Sequence, residues 1–248
     1  METSVLSPLM NTPSLFKRVC RSAGIEVKHM TFGLDAFVDL QEILGRFPSP
    51  MILDVGANEG QTCLKLSDIA PSAKIWSFEP NRTVFETLVE NTRSIPNITP
   101  VHTALGSTPG IAKLRITGSS VNTSLLEYNN LYGNDAIIRE EEVEVVTLAD
   151  FCRKEKIGDI ALLKVDTQGF DLEVLRGAET LFNGNHVAAV FIEVMFTPTY
   201  TGQAWFEDIF QFLNSHSMKF SGFYDIRRER DYFIHWADAL FVNPTVLK

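Results

Sequence analysis

The chain has 248 residues, 45% of them hydrophobic, which is enough to bury the core of one sizeable domain. Its formal net charge of −9 at pH 7 argues against a nucleic-acid partner, because binding a phosphate backbone requires a basic face. The 3 cysteines, Cys20, Cys63 and Cys152, are too scattered for a disulfide framework or a zinc site and are typical of a reducing compartment.

The N-terminal sequence predicts neither a secretory signal nor a membrane anchor. Residues 1–16 contain no basic start followed by an apolar segment. The most apolar run, residues 186–196, is too short to cross a bilayer and contains Glu193. We therefore expect a cytoplasmic protein without a membrane span.

The chain divides into a predicted helical extension, residues 1–49, packed on a main domain, residues 50–248. In the extension, apolar residues at helical spacing predict helices at residues 14–24 and 35–47. In the main domain, short apolar strands alternate with amphipathic helices. Strands are predicted at residues 51–56, 73–80, 98–105, 112–117, 141–148, 159–166, 186–194, 218–225 and 237–243. Helices are predicted at residues 59–70, 82–93, 147–155, 171–182 and 204–216.

This alternation predicts an α/β fold with a parallel sheet covered by helices on both faces. The last two strands have no helix between them, which indicates an antiparallel hairpin at one edge of the sheet. The polar stretch at residues 117–135 is long for a connection and suits either a lid or an ordinary surface loop.

The first strand runs into a glycine loop, LDVGANEGQT, in which Gly56 and Gly60 stand four apart after Asp54. This spacing is neither the dinucleotide fingerprint nor a P-loop. Gly56 permits a tight turn, and the loop presents free amide groups at the start of the next helix. Asp54 suits a positive group, such as an amino-acid ammonium. Alone, such a loop also marks an ordinary strand-to-helix turn.

An acidic residue, Glu79, ends the second strand. Ligands of doubly wound sheets bind at the carboxyl ends of the strands, where a carboxylate accepts hydrogen bonds from the two hydroxyls of a ribose. The glycine loop and Glu79, on successive strands, together predict a site for a nucleoside-containing cofactor.

Several stretches resemble the FkbM family of S-adenosylmethionine-dependent methyltransferases. They are ILDVGANEGQT, IWSFEPNRTVFETLVEN, HTALGS, LLKVDTQGFDLEVLRGA, FIEVMFTPTYTGQAWFEDIFQFL and WADALFVNP, in the family's order over residues 50–244. The resemblance implies a three-layer Rossmann-like methyltransferase fold with a mostly parallel seven-stranded sheet and an antiparallel edge hairpin. It also implies S-adenosylmethionine as cofactor and methyl transfer to a hydroxyl of a sugar, glycolipid or polyketide-like acceptor.

The resemblance assigns cofactor-binding roles to matching positions. The methionine part is assigned to the glycine loop, the ribose to the end of the second strand, and the adenine to the end of the third. The predicted cofactor-binding residues are Asp54, Gly56, Ala57, Asn58, Gly60, Gln61, Glu79, Pro80, Ala104, Leu105 and Ser124. Many family members carry Glu where this chain has Gln168, so no ionisable role is predicted for that position.

Methyl transfer to an aliphatic hydroxyl requires a base or a metal that lowers the hydroxyl pKa, in addition to in-line placement. Asp166 ends the fourth strand and is predicted to be the base or the acceptor-orienting residue, with Glu193 assisting on the acceptor side. Lys164, one pleat deeper, is predicted to pair with a nearby acid and keep it ionised. Alternatively, these three residues only neutralise buried charge.

Other assignments stay open at this stage. Two carboxylates with Gln168 would suit magnesium, but no compact Asp/Asn pair follows Glu193, so no metal site is predicted. His235 is an alternative base, and Tyr200 and Trp205 are either an acceptor wall or packing residues. An N-methyltransferase and a non-catalytic nucleoside-binding scaffold are the competing functions. The predicted partner is a small-molecule or glycan hydroxyl acceptor, whose identity the sequence does not disclose.

Overall fold

The structure is a computed structural model that describes residues 32–118, 122–129, 137–228 and 232–247. The helix predicted at residues 14–24 lies outside the described residues, and so does part of the polar stretch at 117–135. The helices are α1 (Ala36–Leu44), α2 (Gln61–Ile69), α3 (Arg82–Thr92), α4 (Leu148–Glu155), α5 (Asp171–Arg176), α6 (Glu179–Asn183) and α7 (Phe206–Ser215). The strands are β1 (Met51–Val55), β2 (Lys74–Phe78), β3 (Ile98–Val101), β4 (Ala104–Leu105), β5 (Gly110–Thr117), β6 (Glu127–Tyr128), β7 (Ile137–Val146), β8 (Leu162–Val165), β9 (Ala189–Met195), β10 (Tyr200–Thr201), β11 (Lys219–Arg228) and β12 (Ile234–Val242).

Seven strands form the central sheet in the order β11-β12-β9-β8-β1-β2-β3. The pairs from β9 to β3 are parallel, and β12 is antiparallel to both of its neighbours. The segment between the end of β11 and the start of β12 is too short for a helical crossover, which is why β12 runs against the others. The predicted α/β fold with a mostly parallel seven-stranded sheet and an antiparallel edge hairpin is confirmed.

Helices cover both faces of this sheet. One face packs against α4, α5 and α7 through residues such as Phe151, Val174 and Ile209. The other face packs against α1, α2 and α3 through Leu40, Cys63 and Leu88. Because both faces are buried, the central strands read as continuous apolar runs, and a charged side chain within them is conspicuous.

Helix α1 follows the predicted pattern and joins the same core as the sheet. The Asp35 side chain caps the helix by accepting hydrogen bonds from the backbone amides of Phe37 and Val38. Its buried Asp39 accepts a 2.6 Å hydrogen bond from the hydroxyl of Tyr224 on β11. The proposed division into an extension, residues 1–49, and a main domain stays a prediction.

Two predicted elements are wrong in their extent. The strand predicted at residues 98–105 is divided, because the amide of Thr103 donates to the carbonyl of Val101 and turns the chain out of the main sheet. The helix predicted at residues 171–182 is divided at Gly177, where a Cβ atom would lie 2.1 Å from the carbonyl oxygen of Gly106. Helical periodicity alone does not reveal such a backbone contact.

The divided third strand contributes to a second, smaller sheet. β4 pairs in parallel with β7, and β7 pairs with β5 over most of its length in the antiparallel sense. The short strands β6 and β10 form a separate two-stranded ribbon. Both additions lie near the carboxyl ends of the central strands, where they form part of the site described below.

Candidate functional site

The loop after β1 wraps over the end of the neighbouring strand. The amides of Gly56 and Ala57 both donate to the Phe78 carbonyl, at 3.0 and 2.9 Å. Gly56 adopts φ +74°, and a Cβ atom there would lie 1.8 Å from the carbonyl oxygen of Asp166. Because only glycine permits this approach, Gly56 sets the separation between the loops that follow β1 and β8.

Glu79 follows β2, and backbone amides of two loops hold its carboxylate. Oε2 accepts from the amide of Asn58 at 3.0 Å, and Oε1 accepts from the amide of Asn81 at 2.8 Å. Burial raises the pKa of Glu79 to about 7, although the two amide hydrogen bonds act in the opposite direction. Each oxygen keeps a second lone pair, so the carboxylate is a preorganised acceptor for a pair of hydroxyls.

A pocket opens at the carboxyl ends of β1, β2 and β8. Its empty space is about 680 Å³, a value that includes space open to solvent. Its polar lining includes Asn58, Glu79, Ser124, Asp166 and Gln168. Its apolar walls are formed by Phe78, Ala104, Leu105, Leu114 and Phe170.

The segment at residues 122–125 closes part of the pocket and is tied to the loop after β8. Ser124 Oγ donates to the Gln168 carbonyl at 2.7 Å and accepts from the Leu126 amide at 3.0 Å. Thr123 Oγ1 lines the same pocket, is buried, and has no hydrogen-bond partner among the described residues. A buried hydroxyl without a partner leaves hydrogen-bonding capacity for a ligand.

Lys164 on β8 connects the loops behind the pocket. Its Nζ lies 3.3 Å from Asp54 Oδ1 and 3.6 Å from Asp166 Oδ2, and it donates a 3.0 Å hydrogen bond to the carbonyl of Gly56. Burial alone would lower the pKa of Lys164, but the carboxylates of Asp54 and Asp166 raise it overall. Lys164 therefore remains a cation. Its charge lies between Asp54, which is fully buried, and Asp166, which reaches the pocket.

A buried carboxylate shapes the loop that carries Asp166. Asp171 Oδ1 accepts from the amide and hydroxyl of Thr167 at 2.8 and 3.0 Å, and Oδ2 accepts from the Gly169 amide at 3.0 Å. Burial raises the pKa of Asp171 to about 6, and the Thr167 hydrogen bonds oppose that shift. Asp171 was not among the predicted site residues, although an acid in the first turn of a helix after a glycine turn is a recognisable capping signal.

Asp166 and Glu193 are brought together by Gln168. Gln168 Nε2 donates to Asp166 Oδ1 at 2.9 Å and to Glu193 Oε2 at 3.0 Å. The Asp166 side chain is 36% exposed and lines the pocket, whereas Glu193 is not part of the pocket lining. Burial, followed by the charge of Asp166, raises the pKa of Glu193 well above its ordinary value. The three predicted catalytic residues, Lys164, Asp166 and Glu193, thus lie in one cluster.

A third acid, Asp238, belongs to this cluster and was missed by the sequence analysis. It lies directly opposite Glu193 in the antiparallel register of β12 and β9. Burial, and then the charge of Asp166, raises the pKa of Asp238 to about 7. The signal for it is weak, because only the register of the hairpin brings Asp238 to this position.

Some predicted cofactor-binding residues do not line the pocket. Asp54 has no exposed surface, and its carboxylate pairs with Lys164. Lys164 is therefore the positive group near Asp54, where the sequence suggested an amino-acid ammonium. Ala57, Gly60 and Gln61 shape the turn and the start of α2 rather than the pocket wall. Their assignment to the cofactor stays a prediction.

The aromatic and histidine candidates have distinct surroundings. Tyr200 is 2% exposed and donates to Gln168 Oε1 at 2.8 Å, so it does not present a stacking face to the pocket. Trp205 caps α7 at 38% exposure. His102 lies 3.0 Å from the Pro80 carbonyl and stacks on Phe85. His235 is buried on β12 next to Phe196.

Metal-binding clusters and membrane-spanning helices are both absent from the described residues. No group of three or more His, Cys, Asp or Glu side chains has the geometry to hold a metal ion there. Within the same ranges, no helix combines the length and the apolar character that crossing a bilayer requires.

A comparison with known families decides the class of the protein. The family model of the methyltransferase FkbM domain matches residues 54–223, which include the glycine loop, Glu79, Asp166 and Glu193. The chain belongs to the FkbM methyltransferase family. The resemblance carried by the sequence motifs is thereby confirmed, and so is S-adenosylmethionine as the cofactor of this FkbM chain.

Two curated proteins are similar to the FkbM chain. Methyltransferase sdnD of Sordaria araneosa is 28% identical, with 68% of this chain and 77% of that protein covered. The 2-O-methyltransferase NoeI of Sinorhizobium fredii (strain NBRC 101917 / NGR234) is 24% identical, with 54% of this chain covered, and the match spans 60% of NoeI. Among solved structures, TrmK of M. capricolum with S-adenosyl-homocysteine aligns at a TM-score of 0.46 and 10% identity over 83% of this chain and 67% of that one. That score is too low to support a functional comparison.

The pocket of the FkbM chain fits this cofactor chemically. Glu79 offers carboxylate lone pairs for ribose hydroxyls, and the walls at Phe78, Ala104 and Leu105 suit an adenine ring. When bound, S-adenosylmethionine supplies a methyl group activated by a sulfonium.

Proposed function

We propose that the chain is an O-methyltransferase that methylates a hydroxyl of a small-molecule or glycan acceptor. The observation that carries this proposal is the position of Asp166. Its carboxylate is partly exposed, lines the cofactor pocket, and lies 3.6 Å from the Lys164 cation. A hydroxyl acceptor needs such a group to take its proton during attack.

Each neighbouring residue has a role in the proposed reaction. Lys164 is the cation beside the Asp166 carboxylate, and the proposed reaction uses that carboxylate as the proton acceptor. Glu193 and Asp238 are register partners that place further carboxyl groups near Asp166, and carboxyl groups form hydrogen bonds with the hydroxyls of a polyol acceptor. The name of the similar protein NoeI, a 2-O-methyltransferase, supports an oxygen acceptor.

The acidic surroundings also leave N-methylation as a second candidate. Asp166, Glu193 and Asp238 would attract a cationic amine as well as bind a hydroxyl. An amine, however, must lose its proton before it attacks, and three acids favour the protonated ammonium form. A hydroxyl acceptor is neutral before it reacts, so it does not first have to lose a proton that these acids stabilise.

The proposal is tested by incorporation of labelled methyl groups into a panel of sugars, glycolipids, small alcohols and amines. Each assay is run with and without a chelator, which decides whether a metal is needed. We expect methylation of a hydroxyl acceptor, and a product methylated only on nitrogen would contradict the proposal.

The role of Asp166 is tested by Asp166→Asn with Asp68→Asn as the matched control, because Asp68 is an exposed carboxylate on α2. We expect Asp166→Asn to lower kcat by about 10²–10⁴-fold while S-adenosylmethionine still binds in calorimetry. Full turnover in Asp166→Asn would exclude Asp166 as the base.

A further inference from the structure

The amide of Gln168 has only one orientation that fits its surroundings. The Nε2 end faces two carboxylate oxygens, those of Asp166 at 2.9 Å and Glu193 at 3.0 Å, and the Oε1 end faces the Tyr200 hydroxyl at 2.8 Å. Carboxylate oxygens accept hydrogen bonds and an amide oxygen facing Asp166 would meet no donor there, so the N–H bonds of the amide point toward the acids. The remaining oxygen then accepts the proton of Tyr200.

Tyr200 is itself held in place. Its backbone amide donates to Gln203 Oε1 at 2.7 Å, and Gln203 Nε2 donates to the Thr197 carbonyl at 2.8 Å. Its ring packs edge-on against Tyr128, with the ring centroids 5.4 Å apart. With only 2% of its surface exposed, Tyr200 has a single available position for its hydroxyl.

The backbone of Gln168 is anchored as well. The residue adopts φ +55°, a conformation that is uncommon outside glycine and is maintained here by surrounding contacts. The Ser124 hydroxyl donates to its carbonyl at 2.7 Å. Gln168 is therefore fixed at its backbone by the segment above the pocket and at its side chain by β10.

We propose that Tyr200 and Gln168 are positioning residues, which orient the carboxyl groups of Asp166 and Glu193 toward the acceptor. This inference rests on the proposed function, in which Asp166 takes the acceptor proton. Neither Tyr200 nor Gln168 exchanges a proton in the reaction. Gln168 supplies two N–H donors to acids, and Tyr200 prevents the amide from turning its oxygen toward them.

The expected pH effect follows from the charges around the pair. Asp166 and Glu193 face one cation and several acids on the elements that surround them: Lys164 on β8, Asp54 on β1, Asp171 on α5 and Asp238 on β12. Tyr200 on β10 is the remaining titratable group that faces Asp166 and Glu193. Donated hydrogen bonds favour an ionised carboxylate, so their loss raises the already elevated pKa of Glu193 further, and a still higher pH is then needed to ionise it.

The test compares Tyr200→Phe with Tyr224→Phe. Both variants remove one hydroxyl that donates a hydrogen bond, but Tyr224 donates to Asp39 away from the pocket. We expect Tyr200→Phe to move the carbon NMR titration of the Glu193 carboxyl group to higher pH by about one unit. On the acidic limb of the kcat/KM profile, the same shift corresponds to about a tenfold loss that is recovered as the pH rises. Tyr224→Phe should change neither readout.

Gln168→Met serves as the second variant, because it keeps the side-chain length and removes both donors. It should shift the titration in the same direction by at least as much, and it decides the question if Tyr200→Phe does not fold. Unchanged titrations in both variants, or a loss that is uniform across pH, would overturn the positioning role. If the wild type methylates no hydroxyl, the proposed function fails, and the NMR titration still decides whether the two residues position the acids.

Discussion

Lys164 and Asp54 form an ion pair inside the central sheet. The two residues are register partners on β8 and β1, with Nζ 3.3 Å from Oδ1, and their side chains are 7% and 0% exposed. Replacing such a pair together is often tolerated, whereas removing one partner leaves an uncompensated charge in the interior. The pair therefore makes the stability of the sheet depend on the same lysine that faces the proposed base.

Lys164→Met is expected to destabilise the protein by about 3–5 kcal/mol, since it leaves Asp54 buried without a cation. Burial already raises the pKa of Asp54, so part of the loss should be regained as the pH falls and Asp54 takes up a proton. Chemical denaturation at several pH values measures both effects. Lys74→Met is the control, because Lys74 is exposed at the start of β2; equal losses in the two variants would contradict the prediction.

Glu79→Gln should weaken S-adenosylmethionine binding and remove its pH dependence. The pKa of Glu79 in the free protein is about 7, so the ionised acceptor for ribose hydroxyls is lost as the pH falls through that value. Calorimetry at about pH 6 and about pH 8 should show tighter wild-type binding at the higher pH. We expect the variant to bind about tenfold more weakly at the higher pH. Glu86→Gln, on the exposed side of α3, should behave like the wild type.

The raised pKa of Glu79 also makes the stability of the ligand-free protein depend on pH. The folded pKa of Glu79 exceeds its ordinary value of 4.5, so folding favours the protonated form. The stabilising contribution is complete below the ordinary value and is lost as the pH rises through about 7. Glu79→Gln should flatten this part of the stability profile, and an unaltered profile would argue against the raised pKa.

Gly56→Ala should destabilise the protein by about 3 kcal/mol or more, because the new methyl group collides with backbone and the residue has φ +74°. The clash is with the carbonyl of Asp166, so the variant should also lose cofactor affinity. Thermal unfolding and calorimetry test the two effects. Gly110→Ala is the matched control, since a Cβ atom there meets nothing within 4 Å; a Gly56→Ala protein as stable as this control would refute the assignment.

Asp39→Ala is expected to cost about 2–3 kcal/mol, because it leaves the Tyr224 hydroxyl and the Gly33 amide without their acceptor. The loss should appear in chemical denaturation and leave the pH profile of methyl transfer unchanged. Glu42→Ala removes an exposed acid from the same helix and should have little effect. A large loss in both variants would indicate a general requirement of α1 for its acids instead.

Local sequence patterns were sufficient to predict most of the elements. The alternation of strands and helices reflects the periods of apolar residues, and each period is a property of a few successive residues. The glycine loop and Glu79 were recognisable for the same reason, since a turn and a strand end have short signatures. Lys164 and Asp166 stood out because they place charge in an otherwise apolar strand.

The divisions at Thr103 and Gly177 had no such signature. Gly177 interrupts a helical pattern because its backbone lies against Gly106, a residue far away in the chain. The turn at Thr103 sends β4 to a partner, β7, that is formed about forty residues later. Local periodicity contains no information about either contact.

The sequence by itself determined the α/β class, the order of the elements and the identity of the residues at the strand ends. Only the tertiary structure decided that Asp54 meets Lys164, that Asp238 faces Glu193, and that Tyr200 holds the Gln168 amide. The reason is physical. Element type follows from short-range periodicity, whereas a hydrogen bond between distant residues depends on strand register and packing, which the whole chain sets together.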